Sequence, residues 1–370
     1  MKIESIEAIP LAASFNTTFR FGTTDRSTSP NVIVIIRTDD GHVGYGEAVP
    51  VPAFTSETQR SIVELVEERI APVAVGRNPY DRQPLLADIA KVLRFAPFTI
   101  SAFDMALLDL QGRALGVPVH TLLGGAFRSS TQVHGSVGWD EDPARMVEIA
   151  VEQAQTYSSL KLYAGRGELG RDLDRLQAVR DAVGPDIQLF VDVNTMWEPS
   201  DLVRALPRVR EIGLSGLEQP LPLAAAALQN QIMAGHSIDI IADEAVRTVA
   251  DAARVVTERS ATVINVGLSK LGGLTAAVQA AQLAHAHGVG VHVGSVIEMG
   301  IGTAAGLHLA AALPRLAYPS YLMGPLKYAQ QITQEQIKVV DGHIAIPQGP
   351  GLGVEVDETE IRRLDSRRQK

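Results

Sequence analysis

In the first 50 residues, short apolar runs bounded by polar and turn-forming residues read as β structure. Ile3 to Leu11 reads as one strand, and Val32–Arg37 and Val43–Glu47 flank the turn Asp39-Asp40-Gly41 as a hairpin. Helical periodicity follows. Thr55 or Ser56 would cap a helix running through Ile62, Leu65, Val66 and Ile70. A second helix is expected over Thr99–Ala114, with Phe103, Ala106, Leu107 and Leu110 on one face and a stop at Gly116-Val117-Pro118. Strands followed by helices make an α+β unit.

From about residue 131 the pattern changes. Short strand-like runs alternate with amphipathic stretches: Thr131–Val137, Ser159–Tyr163, Gln188–Val193, Ser215–Glu218, Ile238–Ala242, Ala261–Gly267, Val289–Val293 and Ala317–Leu322. Successive starts lie roughly 22 to 30 residues apart, which accommodates a strand, a helix and two short loops. Eight such units predict an α/β fold built on a closed parallel barrel. Strand character returns at Ile337–Val340 and Ile344–Ile346, before a turn-rich run Pro347–Gly353 and a polar end expected to fray. The expected organisation is a capping unit over 1–125, a barrel over 126–325 and a C-terminal segment over 326–370.

Composition narrows the partners. The chain of 370 residues is 46% hydrophobic and 20% charged, ordinary for a globular protein with a large core. A net charge of −9 without any basic stripe argues against nucleic acid. The absence of cysteine excludes disulfides, thiolate metal sites and cysteine nucleophiles, and fits a reducing compartment. The start Met1-Lys2-Ile3-Glu4-Ser5 has no charged region followed by an apolar core, and runs such as Ala305–Leu313 are too short to cross a bilayer. A cytoplasmic location without membrane contact is expected. So is an assembly of identical chains, although no residue pattern sets its size.

The polar residues of the repeat carry the chemistry. Asp192 and Asn194 end the third barrel run, Glu218 the fourth, and Asp243 with Glu244 the fifth. Side chains two apart on a strand share a face, so acids at three neighbouring strand ends converge on the rim where barrel active sites form. Carboxylates held that close repel one another unless a cation neutralises them. An all-oxygen set suits a hard ion, Mg²⁺ before Mn²⁺. On the second run Lys161 and Tyr163 share a face, one strand before Asp192. The lysine charge would favour a tyrosine phenolate, and a phenolate or a neutral lysine could accept a proton. Alternatively, Lys161 anchors a substrate carboxylate while Tyr163 packs. On the far side Asn265 and Gly267 face inward, whereas Lys270 is out of phase and suits support of a rim acid. His292 is expected one layer below Gly294, and Glu298 lies past the seventh strand. His134 suits a core or rim position, and His285 and His287 suit a helix surface. Arg20, in Phe19-Arg20-Phe21-Gly22, is a candidate carboxylate clamp.

With those residues in hand, the chain resembles the muconate lactonizing enzyme subgroup of the enolase superfamily. The matches are Gly44-Tyr-Gly-Glu-Ala48, Ala102–Leu110, Leu122–Gly125, the acids Asp192, Glu218 and Asp243, Ile264-Asn265, Gly272-Gly273, Gly294–Glu298, Gly324-Pro-Leu326 and Gly349–Gly353. The resemblance implies a modified (β/α)7β barrel, with a capping domain completed by the C-terminal tail. It also implies Mg²⁺ on Asp192, Glu218 and Asp243 with Asn194 and Glu244 nearby, and removal of a carboxylate's α-proton through a metal-stabilised enediolate. Specificity is then expected from the capping loops 16–30 and 50–57, with Phe19, Arg20 and Phe54 as contacts. Two departures stand out. Lys-x-Lys is replaced by Lys161-Leu-Tyr163, and the acid/base residue of the opposite face falls at Gly267, with the histidine of the mandelate racemase-like branch at Gly294. Racemisation uses a group on each face, so one-sided chemistry is expected, either syn elimination such as dehydration or cycloisomerisation. A racemase or epimerase of an amino-acid derivative or hydroxy acid, with water or a reoriented His292 as the second group, and a metal-binding pseudoenzyme are the alternatives.

Overall fold

The computed structural model describes residues 1–21, 24–335 and 337–368, with the side chains of 19–21 and 24 also outside the described set. Three antiparallel strands, β1 (Ile3–Pro10), β4 (Val32–Thr38) and β5 (Val43–Ala48), form the capping sheet in the order β1-β4-β5. Gly41, with φ of 88°, makes the tight turn of the expected hairpin. Between β1 and β4 the chain forms a second hairpin, β2 (Ala13–Phe21) and β3 (Thr24–Ser29), where the sequence reading expected a loop. The segment is rich in Ser and Thr: β2 carries apolar residues at alternate positions (Ala13, Phe15, Phe19 and Phe21), but β3 is wholly polar, and the pair was read as a loop.

The helix Pro97–Leu115 lies across the capping sheet. A Cβ on Gly46 would stand 1.8 Å from the Ala102 carbonyl oxygen, and one on Gly44 2.2 Å from that of Ala106. These glycines let strand and helix backbones touch, which explains the Gly-Tyr-Gly-Glu motif. The helix ends at Gly116 in the left-handed conformation (φ 69°). Two buried acids on it reach outward. Asp104 accepts from the Thr275 amide (2.9 Å) on a barrel helix, and Asp109 from the Leu352 amide (2.8 Å) in the tail. The earlier helix is capped by Thr58, in a reciprocal pair with Ser61, rather than by Thr55 or Ser56. Thr55 instead donates its hydroxyl to Glu57.

The barrel wall is one parallel sheet of seven strands in sequential order: β7 (Gly135–Val137), β8 (Ser159–Tyr163), β9 (Gln188–Asp192), β10 (Gly216–Glu218), β11 (Asp239–Ala242), β12 (Val263–Asn265) and β13 (Gly290–His292). The first predicted run is divided. Its start, β6 (Ser130–Gln132), pairs instead with the tail strand β14 (His343–Ala345). The eighth run forms no regular strand but still closes the wall. Ala317 and Tyr321 donate their amides to Val291 and Val293, Ser320 donates to Gln132, and His134 donates to Ser320. Residues 337–339 form no strand, and Val340 makes only an isolated bridge to His343. The polar end does not fray before the last described residues: Glu358–Arg363 is a helix, and the tail returns to the cap through Ala12 to Leu364 and Ser366 to Pro10. No helix among the described residues is long and apolar enough to cross a membrane.

Candidate active site

Strand register sets the level of each side chain. Tyr163 is paired with Asp192, and Asp192 with Glu218, so these three end their strands side by side. Asp243 follows two residues beyond Ile241, the partner of Glu218. Lys161 pairs with Phe190, one layer lower, and its ammonium rises to 2.8 Å from Asp192 Oδ2 and 2.9 Å from Glu218 Oε2. Lys270 Nζ lies 2.8 Å from Asp243 Oδ1 and donates to the Asp243 carbonyl oxygen at 2.6 Å, so it does support a rim acid. Lys161, Tyr163, Asp192, Glu218, Asp243 and Lys270 all border one cavity between barrel and cap.

The electrostatics of this floor are unbalanced. Four buried carboxyl groups, those of Asp192, Glu218, Asp243 and Glu244, face two ammonium groups. Burial, then the neighbouring charges of Glu218 and Asp243, push Asp192 up to about 7 against the pull of Lys161. Burial, followed by Asp243 and Asp192, holds Glu244 well above the usual carboxyl range. Burial opposes the charge on Lys161, but Asp192 and Glu218 outweigh it and keep its pKa well above the ordinary lysine value. Tyr163 is shifted upward, chiefly by burial, with Lys161 pulling the other way. The expected phenolate is therefore not the resting form, because loss of water around the ring outweighs one nearby cation.

Among the described residues, no three His, Asp or Glu side chains already form a metal cage. The two ammonium groups hold the three rim acids instead. Yet Asn194 Oδ1 and Glu244 Oε2 are buried without a hydrogen-bond partner among the described residues, leaving surplus oxygens beside the acids. Asn194 also donates its amide to Asp192 Oδ1 (2.9 Å) from a left-handed backbone, φ 47°. Gln219, which the sequence reading passed over, accepts from the Asp243 and Ala245 amides at 3.0 Å each and fixes the loop carrying the third acid.

On the opposite wall Asn265, Ser269, Lys270, Ser295 and Glu298 line the cavity, but positions 267 and 294 carry no side chain. Gly267 has φ of −54°, and a Cβ there would meet nothing closer than Lys270 Cε at 3.4 Å, so neither backbone nor space demands glycine. Gly294 differs, since a Cβ would fall 2.4 Å from Asn265 Nδ2. Asn265 is a scaffold: it donates to Glu218 Oε1 (3.1 Å) and accepts from the Gly267 and Gly294 amides. Glu298 borders the cavity, where Ser269 (2.7 Å) and Ser295 donate to its carboxylate.

Several candidates fall outside. His292 does not border the cavity; it is buried against Phe190 and Tyr318, and burial and then Lys161 push its pKa down to about 3. That removes it as a replacement acid or base. His134 stacks on Tyr321 below the mouth, while His285 and His287 belong to the outer helical layer. The side chains of Phe19 and Arg20 lie outside the described residues, whereas Phe54 borders the cavity. Among the described residues, the arginine bordering the cavity is Arg26 on β3, 9% exposed, bonded to Ser29 Oγ (3.0 Å) and lying over the Phe15 ring. It has no carboxylate partner among the described residues. Its strand, Thr24–Ser29, is wholly polar in sequence, which is why it was missed.

Comparison with known proteins identifies the family and the fold. Residues 6–124 match the family described as "Mandelate racemase / muconate lactonizing enzyme, N-terminal domain", and residues 144–360 match "Enolase C-terminal domain-like". The chain belongs to this family of the enolase superfamily. It is 34% identical to muconate cycloisomerase 1 of Rhodococcus opacus, covering 98% of each chain. It is 28% identical to the chloromuconate cycloisomerase CbnB of Cupriavidus necator, again over 98% of both. Among solved structures, the muconate lactonizing enzyme of Pseudomonas fluorescens complexed with muconolactone superposes with a TM-score of 0.94 at 30% identity, covering 98% of this chain and 99% of that one. The N-succinyl Arg/Lys racemase of Bacillus cereus superposes with a TM-score of 0.95 at 28% identity, covering 99% and 98%. The protein is thus an enzyme of the isomerase and lyase kind found in this superfamily.

Proposed function

We propose that the protein is a cation-assisted cycloisomerase of an unsaturated dicarboxylate, doing its proton chemistry on one face of the substrate. The observation carrying this reading is the asymmetry of the cavity, with Lys161 and Tyr163 on one wall and Gly267 and Gly294 on the other. The fit of a cation rests on the donor set. Asp192, Glu218 and Asp243 would hold a hard divalent ion, Mg²⁺ or Mn²⁺, with the unpartnered oxygens of Asn194 and Glu244 behind them. When bound, the ion supplies positive charge beside the substrate carboxylate and lowers the cost of its enediolate form.

The remaining work belongs to the chain. Lys161 is held charged by Asp192 and Glu218. Once those carboxylates are engaged elsewhere, its amine stands below the substrate α-carbon as the group that gives or takes the proton. Tyr163 keeps its proton and acts as a donor. Arg26, buried and without an acid partner among the described residues, would receive a second carboxylate at the far end, with Phe54 and Val51 as apolar wall. Syn dehydration would use the same one-sided set. Racemisation is the second reading. The structural likeness to the N-succinyl amino acid racemase favours it, as does Lys270, whose Cε lies 3.4 Å from a Cβ built on Gly267.

The test is turnover in D₂O with Mg²⁺, followed by NMR, offering muconate and a set of N-succinyl amino acids. A lactone carrying deuterium in one configuration is expected. Inversion of a succinyl amino acid with deuterium uptake and no ring closure would refute the proposal in favour of racemisation.

A further inference from the structure

We infer that Tyr321 is a hydrogen-bond donor to the substrate carboxylate as that carboxylate gains enediolate charge, a role that rests on the proposed function above. Tyr321 lies on the irregular stave that closes the barrel, and its ring borders the same cavity as Lys161 and Tyr163. Two contacts fix it from behind. Its amide donates to the Val293 carbonyl at 2.9 Å, and its ring stacks on His134 at 5.1 Å and 11°. His134 is itself tied by Nδ1, 2.8 Å from the Gly135 carbonyl.

The hydroxyl is the part left over. The residue is 5% exposed, yet its phenol oxygen is buried and has no hydrogen-bond partner among the described residues. Neighbouring buried tyrosines behave otherwise. Tyr318 donates to the Ser215 carbonyl at 2.9 Å, and Tyr328 donates to the Ile297 carbonyl at 2.7 Å. Those two hydroxyls serve the fold, whereas Tyr321 holds an unused donor against a cavity. A buried donor without a partner is unfavourable, and phenylalanine would preserve the His134 stack without that cost. A ligand oxygen in the cavity supplies the missing acceptor. No proton leaves the phenol; the hydrogen bond strengthens as charge grows on the acceptor.

The test compares wild type with Tyr321→Phe by calorimetric titration with acetohydroxamate, a planar mimic of an enediolate, in the presence of Mg²⁺. The variant should bind about tenfold to a hundredfold more weakly, the worth of one hydrogen bond to a charged acceptor. The metal-free variant should melt within about 4 °C of wild type. Equal affinity in the two proteins would overturn the role of Tyr321 while leaving the cation-assisted reading intact. A larger drop in melting temperature would mark the hydroxyl as structural and overturn it too. Failure of wild type itself to bind the mimic with Mg²⁺ would overturn both.

Discussion

The two glycines of the far wall should respond in opposite ways to the same added methyl group. At Gly267 the backbone is ordinary, and the new Cβ would touch Lys270 Cε at 3.4 Å and Asn265 Oδ1 at 3.6 Å. A glycine replaced by alanine in a compatible conformation gains about 0.4–1 kcal/mol through the unfolded chain. Gly267→Ala should therefore melt at or slightly above wild type. At Gly294 the Cβ would fall 2.4 Å from Asn265 Nδ2 and 2.5 Å from its Oδ1. Asn265 must move, and with it go its bonds to Glu218 and to the Gly267 and Gly294 amides. Three buried bonds strained together should cost roughly 2–5 kcal/mol. Differential scanning calorimetry of the metal-free proteins near neutral pH reads both effects. If Gly267→Ala proved as damaging as Gly294→Ala, glycine at 267 would be a structural requirement, and the argument that this position was emptied for chemical reasons would fail.

Asp243→Asn should weaken Mg²⁺ binding about tenfold or more, seen as loss of the Mg²⁺-induced rise in melting temperature; an undiminished rise would remove Asp243 from the ion site. Tyr163→Phe should lower turnover by roughly 10², and unchanged turnover would move proton donation elsewhere. Glu47 accepts from Asn31 and from the Met299 and Gly302 amides, and burial pushes its pKa up to about 7. A carboxyl whose folded pKa lies above its unfolded value stabilises the fold below the unfolded pKa and loses that contribution as pH rises through the folded value. Glu47→Gln should therefore flatten the fall in stability between about pH 4.5 and 7, a difference of order 3 kcal/mol in urea unfolding. A profile with the same slope in both proteins would exclude Glu47 as its source.

Much of the scaffold was legible because it obeys simple periods. Seven staves came through, since each is a run of apolar residues between helices, and the acids at their ends stood out against that background. The eighth was weaker in sequence and is irregular in space, for the same reason: Ala317–Tyr321 closes the wall through scattered backbone bonds rather than a ladder. The β2–β3 hairpin was passed over because the alternating apolar residues of β2 are set among Ser and Thr and β3 is wholly polar, and Arg26 was hidden with it. Tyr321 went unnoticed because a tyrosine in a strand-like run, like Tyr318 three residues before it, reads as packing, and only the absence of a partner for its hydroxyl among the described residues marks it out. Parity gave His292 its depth, but the neutralising effect of burial became evident only with Phe190 and Tyr318 around it.

The outward-reaching acids of the helix Pro97–Leu115 have an evolutionary corollary. Because Asp104 and Asp109 satisfy amides belonging to other parts of the molecule, the cap is tied to the barrel and the tail rather than standing as an independent module. A chimera joining this cap to a foreign barrel and tail would have to inherit acceptable docking points for both carboxylates. The β2–β3 hairpin, by contrast, makes no hydrogen bond to either acid among the described residues.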